Sequence, residues 1–318
     1  MYNEPIFLKP VFKDRIWGGT KLREAFGYEI PTETTGECWG ISAHPNGPSE
    51  VLNGPLEGKT LNQVWDKHPE LFGNQEGDEF PLLVKILDAK TDLSVQVHPD
   101  DTYAQKVESE PYGKTECWYI IDCEPGAELV YGHHAKSKAE FGKMVEENRW
   151  DDLLRTVTIK PGDFVYVPNG TIHAIGAGTM ILETQQSSDV TYRVYDYDRR
   201  DAAGNTRELH IEKSIDVAMI PHEDAAFDPV ENSFDGLNEQ KLIQEDYFTV
   251  YRWELNGTVD QYDNPAYLLV SVLSGNGEVR TDGEASTFNK GDHFIIPSTV
   301  KRFSLKGDAE CIVSHPTI

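Results

Sequence analysis

The stretch GDFVYVPNGTIH at residues 162–173 decides the fold of this chain. Its spacing is G-x5-P-x-G-x2-H, in which a Gly-Asp turn precedes a run of aromatic and β-branched residues over 164–167 and Pro168 ends that run. His173 follows where the chain can re-enter a sheet with its imidazole directed inward. The stretch therefore predicts two short strands with a histidine at the start of the second.

Two upstream segments supply further polar side chains at strand spacing. LSVQVHPDD places Gln96 and His98 two residues apart, and KTECWYII does the same for Lys114 and Glu116, so each pair shares one face of a predicted strand. Two imidazoles, a carboxylate and an amide oxygen form a donor set that holds divalent metals. Zn²⁺ suits this set, and Mn²⁺, Fe²⁺ and Co²⁺ fit it as well. We expect one metal bound by Gln96, His98, Glu116 and His173.

The histidines also have a purely structural interpretation. Taken singly, His98 or His173 is typical of a core histidine with satisfied hydrogen bonds. Their combination with Gln96 and Glu116 on matching strand faces favours the metal site. The neighbouring pair His133-His134 lies in a polar segment and is expected to be solvated, and the remaining histidines are assigned no role.

Short strand-like runs separated by Gly, Pro, Asn and Asp recur along the chain at a spacing of ~8–12 residues, which predicts an antiparallel sandwich or barrel. Helical periodicity is confined to three segments, at 58–75, 136–157 and 208–220, which are interpreted as insertions in a β scaffold. Residues 221–240 are acidic and polar and are predicted to be a linker.

Beyond that linker the pattern repeats. KGDHFIIPSTVKRF (290–303) matches PGDFVYVPNGTIHA (161–174) in its Gly-Asp, its strand and its proline. The fifth residue after the proline is His173 in the first copy and Arg302 in the second, and a guanidinium does not ligate a metal. Two related β units are expected, of which the second lacks metal ligands.

Composition limits the function classes. A chain of 318 residues suggests about two domains, and 38% hydrophobic residues indicate a folded protein. The formal charge of −25 argues against nucleic-acid and anionic membrane partners. No apolar run approaches the ~18 residues of a membrane span, and no secretory signal precedes the first predicted strand. Four scattered cysteines without a CxxC pair are expected to be thiols, so a cytoplasmic location is predicted.

These motifs resemble a known family. G-x5-P-x-G-x2-H resembles the second motif of the cupin superfamily, and Gln96-x-His98 with Glu116 resembles its first. Longer segments resemble type I mannose-6-phosphate isomerases in their shorter bacterial form: LKPVFKDRIWGG (8–19), GECWGISAHP (36–45), QVHPDD (96–101), KTECWYI (114–120), GTIHAIGAG (170–178), ETQQSSDVTYRVYDYDR (183–199) and RELHIEKS (207–214). One departure is Lys114-Thr115-Glu116, where the family commonly has Lys-Pro-Glu.

The resemblance implies a mainly β fold of two cupin-like jelly-roll units with small helical insertions. Residues 1–235 would form the catalytic, metal-binding domain with the insertions, and residues 241–318 a C-terminal cupin-like domain without metal ligands. The implied activity is a zinc-dependent aldose–ketose isomerisation that interconverts mannose 6-phosphate and fructose 6-phosphate through an enediolate, with one Zn²⁺ per chain and a small sugar phosphate as partner. The oligomeric state stays open.

Carried over residue by residue, the resemblance places Lys114 and Arg193 at basic active-site positions and Glu183 and Asp189 at acidic ones, without assigning the base. Glu183 in MILETQQ shares a strand face with inward residues, whereas Asp189 in SSDVT is equally typical of a turn. Lys114 would stabilise the enediolate or, with a depressed pKa, carry a proton. Arg193, if buried, needs a counter-ion, which is either a substrate oxygen or one of the two acidic residues.

Two other functions fit part of the pattern. Two His and a carboxylate also suit Fe²⁺, so a metal cupin of another reaction class, such as a dioxygenase, is the enzymatic alternative. A sugar-phosphate-binding cupin without turnover is the non-enzymatic one. Basic residues beside the metal ligands argue against the first, and the intact ligand set argues against the second.

Overall fold

The computed structural model describes residues 2–201, 203–282 and 284–317. Strands dominate it, which confirms the mainly β prediction, and in chain order they are β1 (Ile6–Lys9), β2 (Val11–Gly19), β3 (Thr35–Ile41), β4 (Glu50–Val51), β5 (Leu82–Ala89), β6 (Val95–Val97), β7 (Glu116–Cys123), β8 (Glu128–His133), β9 (Leu154–Thr158), β10 (Phe164–Val167), β11 (His173–Ile175), β12 (Thr179–Gln186), β13 (Tyr192–Tyr195), β14 (Val230–Phe234), β15 (Leu237–Gln244), β16 (Phe248–Asp263), β17 (Leu268–Thr281), β18 (Glu284–Asn289), β19 (His293–Ile296) and β20 (Arg302–Pro316).

The helices are short and lie between strands. They are α1 (Lys21–Phe26), α2 (Leu61–Lys67), α3 (Asp101–Tyr103), α4 (Lys138–Glu146), α5 (Trp150–Leu153) and α6 (Ile211–Val217), with 3-10 turns at Gly54–Leu56 and Pro69–Phe72 and a π turn at Ala104–Glu108. No helix among the described residues has the length and apolarity needed to cross a membrane.

The first jelly-roll unit is built from two antiparallel sheets. One has the order β10-β7-β12-β5-β3-β2, and the other the order β13-β6-β11-β8-β9. Residues of both sheets form one apolar cluster, in which Trp118 and Ile181 of the first join Leu129 and Ile175 of the second. Burial of this shared cluster holds the sheets face to face, with the inward side chains of each available to a common interior.

Helices cover the other face of the five-stranded sheet. Phe141 of α4 and Leu153 of α5 share an apolar cluster with Val95 of β6, Ala174 of β11 and Tyr192 of β13. The predicted insertions at 58–75 and 208–220 contain α2 and α6, as expected. The third is helical only in α4 and α5, because its last residues form β9 and pair with β8.

The C-terminal unit is a nine-stranded sheet that curls around its own apolar cluster, to which Trp253, Val270 and Phe294 belong. Two strands from the start of the chain join this sheet: Ile6 of β1 lies opposite Ile295 of β19, and Leu8 lies opposite Val51 of β4. The first fifty residues therefore supply strands to both units, since β2 and β3 belong to the six-stranded sheet of the first unit.

The predicted linker at 221–240 is wrong in its second half. Residues 230–234 form β14, which pairs with β15, beginning at Leu237. Every residue of β14 is exposed. An edge strand of this kind needs no apolar face, so its polar and acidic composition did not indicate a strand.

Candidate metal centre and active site

Strand pairing brings the four predicted metal ligands together. Gln96 of β6 lies directly opposite His173 of β11, and His98 follows β6 by one residue. Glu116 opens β7 in the facing sheet, where it pairs with Val167 at the end of the GDFVYV strand. The ligands therefore approach one point from both sheets.

The distances are those of a compact donor group. Nε2 of His173 lies 3.2 Å from Oε1 of Glu116, and Nε2 of His98 lies 3.5 Å from Oε2 of the same carboxylate. One ligand atom from each of these three residues falls within 4.8 Å of the others. The amide nitrogen of Gln96 is 3.4 Å from Nε2 of His173, so the fourth predicted ligand borders the same point.

Backbone carbonyls orient both imidazoles. Nδ1 of His98 donates to the carbonyl of Val190 and Nδ1 of His173 to that of Thr171, each at 2.8 Å. With Nδ1 protonated, the Nε2 lone pairs point inward, as metal ligation requires. Burial lowers the pKa of His173 to about 4 and that of His98 well below its usual range, so both rings are neutral.

Unsatisfied atoms mark the centre of this group. Nε2 of His98 and both carboxylate oxygens of Glu116 are buried without a hydrogen-bond partner, and the one cation near them among the described residues is the Lys114 ammonium, 3.3 Å from Oε2. Leaving buried polar atoms unpaired costs about 1–3 kcal/mol each, more for a charged group. All of them belong to the side chains that converge here. The residues present therefore fit a divalent cation, which would satisfy these atoms together.

A cavity of about 600 Å³ opens beside the donor group. Among its lining residues are Gln96, Lys114, Glu183, Asp189 and Arg193, so the structure brings the predicted basic and acidic residues to the same space as the predicted metal ligands.

Arg193 occupies this cavity without a carboxylate partner. Its Nε donates to Oγ of Ser94 at 3.2 Å and its Nη1 to the carbonyl of Glu208 at 2.9 Å, both neutral acceptors. Within the described chain it forms no ion pair, so neither Glu183 nor Asp189 neutralises it. In a protein with a formal charge of −25 this guanidinium is a local site of attraction for an anion.

Lys114 and Glu183 are buried charges near the donor group. Nζ of Lys114 lies 3.3 Å from Oε2 of Glu116. Burial opposes its charge, but Glu116, Glu183 and other carboxylates raise its pKa above the usual value, which favours the charged ammonium over the depressed-pKa form. Burial, and then the charge of Glu116, raises the pKa of Glu183.

The structure places three further residues, and for one of them, His133, the expectation of a solvated side chain was wrong. Asp189 is exposed at the cavity margin, where its carboxylate accepts from Nδ2 of Asn46 at 3.3 Å. His133 is buried against the carbonyl of Met219, whereas only its neighbour His134 is exposed. His210, assigned no role from the sequence, lines the cavity and accepts the backbone N–H of Arg193 at its Nδ1.

Sequence reasoning also missed a charged network on the cavity wall. Lys85 lies in a strand whose eight residues are all buried, and a lysine in such an apolar run (LLVKILDA) was a signal that went unused. Beside it, Arg15 binds Glu37 through two hydrogen bonds of 3.0 Å. Arg207, also on the wall, is held by the buried Asp196 at 2.5 Å.

Comparison with known proteins identifies the family. Residues 6–122 match the model for the phosphomannose isomerase type I catalytic domain, and residues 238–316 match that for the mannose-6-phosphate isomerase cupin domain. The chain is 53% identical to mannose-6-phosphate isomerase ManA of Bacillus subtilis, over 99% of this chain and 100% of that protein. It is also 53% identical to mannose-6-phosphate isomerase of Streptococcus mutans, over 98% of each.

Solved structures agree with this. The crystal structure of mannose 6-phosphate isomerase from Bacillus subtilis superimposes with a TM-score of 0.96 at 53% identity, over 98% of this chain and 99% of that one. A mutant phosphomannose isomerase from Salmonella typhimurium shares the fold with a TM-score of 0.81 at 16% identity. This chain belongs to the type I phosphomannose isomerase family.

Proposed function

We propose that the chain is an aldose–ketose isomerase that interconverts mannose 6-phosphate and fructose 6-phosphate. The observation that carries this is the position of Arg193, which has no ion-pair partner among the described residues, in the cavity that opens beside the buried His98, Glu116 and His173 group. A metal centre near a guanidinium that no carboxylate neutralises suits a substrate with both sugar oxygens and a phosphate. The names of full-length relatives at about half identity support the same substrate.

We propose zinc as the metal, with one ion per chain held by His98, Glu116, His173 and the amide oxygen of Gln96. Two neutral imidazoles and one carboxylate are a frequent zinc set, and rotation of the Gln96 amide exchanges its nitrogen for its oxygen. When bound, the dication would polarise the substrate carbonyl and stabilise the negative charge of the enediolate.

Glu183 is the proposed proton carrier between C1 and C2. It is buried on the cavity wall, and its pKa is raised towards the working pH, which favours a general base that must both accept and return a proton. The N–H of Trp118 donates to its Oε1 at 3.1 Å and restricts its orientation. Asp189 is exposed, so we give it a secondary role at the cavity entrance.

The two basic residues bind and orient the substrate. Lys114, a buried ammonium beside Glu116, donates hydrogen bonds to the sugar oxygens that gain negative charge in the enediolate. Arg193 binds an oxyanion of the substrate through its planar guanidinium. Their charges offset the repulsion that the acidic protein exerts on a phosphorylated sugar.

We further propose that this activity is cytoplasmic. The four cysteines are free thiols, three of them buried, as in a reducing compartment. A sugar phosphate does not cross a membrane unaided, so enzyme and substrate must share one compartment.

A coupled assay of mannose 6-phosphate conversion tests the proposal. We expect turnover that is lost after chelation and restored by one equivalent of Zn²⁺ per chain. Turnover that survives complete metal removal contradicts the metal role. Sugar-phosphate binding without turnover indicates the non-catalytic alternative, and metal-dependent oxygen consumption without isomerisation indicates the dioxygenase-like one.

A further inference from the structure

Lys85 occupies the middle of the six-stranded sheet, between the candidate base Glu183 and the buried Trp39. In the pairing of β5 with β12 it lies directly opposite Glu183, and in the pairing with β3 it lies opposite Trp39. Its side chain lines the cavity and is only 3% exposed. A lysine this deeply buried is costly unless a specific anion compensates it.

That anion is Glu183. Nζ of Lys85 lies 3.5 Å from Oε2 of Glu183, and both side chains are 4% exposed. Within the part of the chain that the structure describes, no other cation forms an ion pair with Glu183. Since Oε1 already accepts from Trp118, the two interactions hold both carboxylate oxygens.

The other buried carboxylates nearby have partners of their own. Arg15 binds both oxygens of Glu37, which also accepts from Nε1 of Trp39 at 2.7 Å. Glu116 pairs with Lys114. Removal of Lys85 would therefore leave Glu183 as the carboxylate without an ion-pair partner.

The aromatic neighbour restricts where the ammonium can lie. Nζ of Lys85 is 5.0 Å from the centre of the Trp39 ring, within the range of a cation–π contact. Trp39 is itself fully buried and fixed by its hydrogen bond to Glu37. The ammonium is thus held between the ring and the Glu183 carboxylate.

We propose that Lys85 is a positioning residue for the isomerisation, which holds Glu183 ionised and aimed at the substrate carbons. This inference rests on the proposed function, in which Glu183 moves the proton. Lys85 acts through Glu183 and does not itself exchange the proton. Its charge faces Glu183 together with those of Glu116 in β7, Lys114 just before β7, and Glu37 in β3.

The experiment compares the metal-loaded wild type with Lys85→Met in the isomerase assay across pH. We expect kcat to fall ~30-fold or more with KM within about threefold, because a misplaced base affects chemistry more than binding. The acidic limb of the kcat profile should move up by about one pH unit, since Glu183 loses a favourable charge. Lys90→Met, the same change at an exposed position just after β5, should match the wild type.

A double variant separates positioning from simple charge balance. If Lys85 only compensates buried Glu37, Lys85→Met/Glu37→Gln should recover kcat together with thermal stability, and the proposal is overturned. We expect neither to recover, because the carboxylate left unpartnered is Glu183 and Glu37 keeps its pair with Arg15, and the acidic limb should stay shifted. Should both variants fail to fold, Lys85→Arg is the deciding variant, because it keeps the positive charge but displaces it. A kcat about tenfold below that of the wild type, with an unshifted acidic limb of the pH profile, supports the proposal. A wild-type kcat overturns it.

Failure of this inference differs from failure of the proposed function. A metal-loaded wild type that does not convert mannose 6-phosphate contradicts the function itself. An active wild type together with Lys85→Met of unchanged kcat and unchanged pH profile contradicts only the role of Lys85.

Discussion

Arg193 of β13 lies directly opposite Gln96 of β6 in an antiparallel pair. Residues opposite one another on neighbouring strands direct their side chains to the same face, and both line the cavity. Backbone hydrogen bonds between the two strands thus fix the Arg193 guanidinium and the Gln96 amide relative to each other. The two residues are 97 positions apart in the chain, so their separation in the sequence does not indicate that they are neighbours.

The first prediction concerns the metal. His173→Ala should remove both the bound ion and the activity, because it deletes one of three ligand atoms clustered within 4.8 Å. We expect less than one-tenth of an equivalent of metal after gel filtration and a loss of kcat/KM of about a hundredfold or more. Elemental analysis and the coupled assay measure the two. His134→Ala, an exposed histidine, is the matched control, and a fully active, metal-free His173→Ala would refute the ligand assignment.

The second prediction concerns the anion site. Arg193→Ala should lower kcat/KM for the phosphorylated sugar by about 1.5–3 kcal/mol, the scale of hydrogen bonds to charged groups. Steady-state kinetics at fixed ionic strength measure this. Arg149→Ala removes an exposed arginine paired with Asp152 and should leave kcat/KM unchanged. Equal values for the Arg193 variant and the wild type would remove Arg193 from the substrate site.

The third prediction concerns the repeated unit. Arg302→His restores the histidine of the first motif, yet it should bind no second metal, because Arg302 is exposed beside Gln261 and the C-terminal sheet encloses an apolar cluster. Elemental analysis should give the same stoichiometry as the wild type. A second equivalent of metal would contradict the interpretation that only the first unit holds ligands.

The fourth prediction concerns pH and stability. His293 is buried, bonded to Oγ of Ser271 at 2.8 Å and to the hydroxyl of Tyr28 at 3.0 Å, and burial lowers its pKa to about 4. Above pH ~6.5 the His293 imidazole is neutral in both the folded and the unfolded chain. As the pH falls from there towards 4, only the unfolded chain binds the proton, so the free energy of unfolding should decrease, by up to about 3 kcal/mol from this residue.

Denaturant unfolding of His293→Gln tests that assignment. Other buried histidines titrate with the same sign, so the informative quantity is the difference in slope between variant and wild type over pH 7 to 4. We expect a shallower decrease in the variant. Identical slopes would show that His293 does not contribute.

Much of this molecule was readable from local patterns. G-x5-P-x-G-x2-H predicted the turn, the strand and the inward His173, because its glycine and proline restrict the backbone whatever surrounds them. Gly170 has φ +80°, and a Cβ there would lie 3.0 Å from the carbonyl oxygen of Val217. The two-residue spacing likewise placed Gln96 and His98 on one face, since side chains alternate between the two faces of any extended chain.

Other features depended on contacts that no local pattern encodes. The pairing of β1 with β19 joins residues 289 positions apart, as the Ile6–Ile295 pair shows. The composition of the two strands does not predict which residues pair across such a distance. The exposed strand β14 looked like a linker for the same reason. Lys85 and Arg193 are distinguished from the other lysines and arginines of the chain by what they contact and not by residue type, so their burial and charge partners had to be seen in three dimensions. Backbone preferences act within a few residues, whereas electrostatic environment is set by whichever strands the fold places side by side.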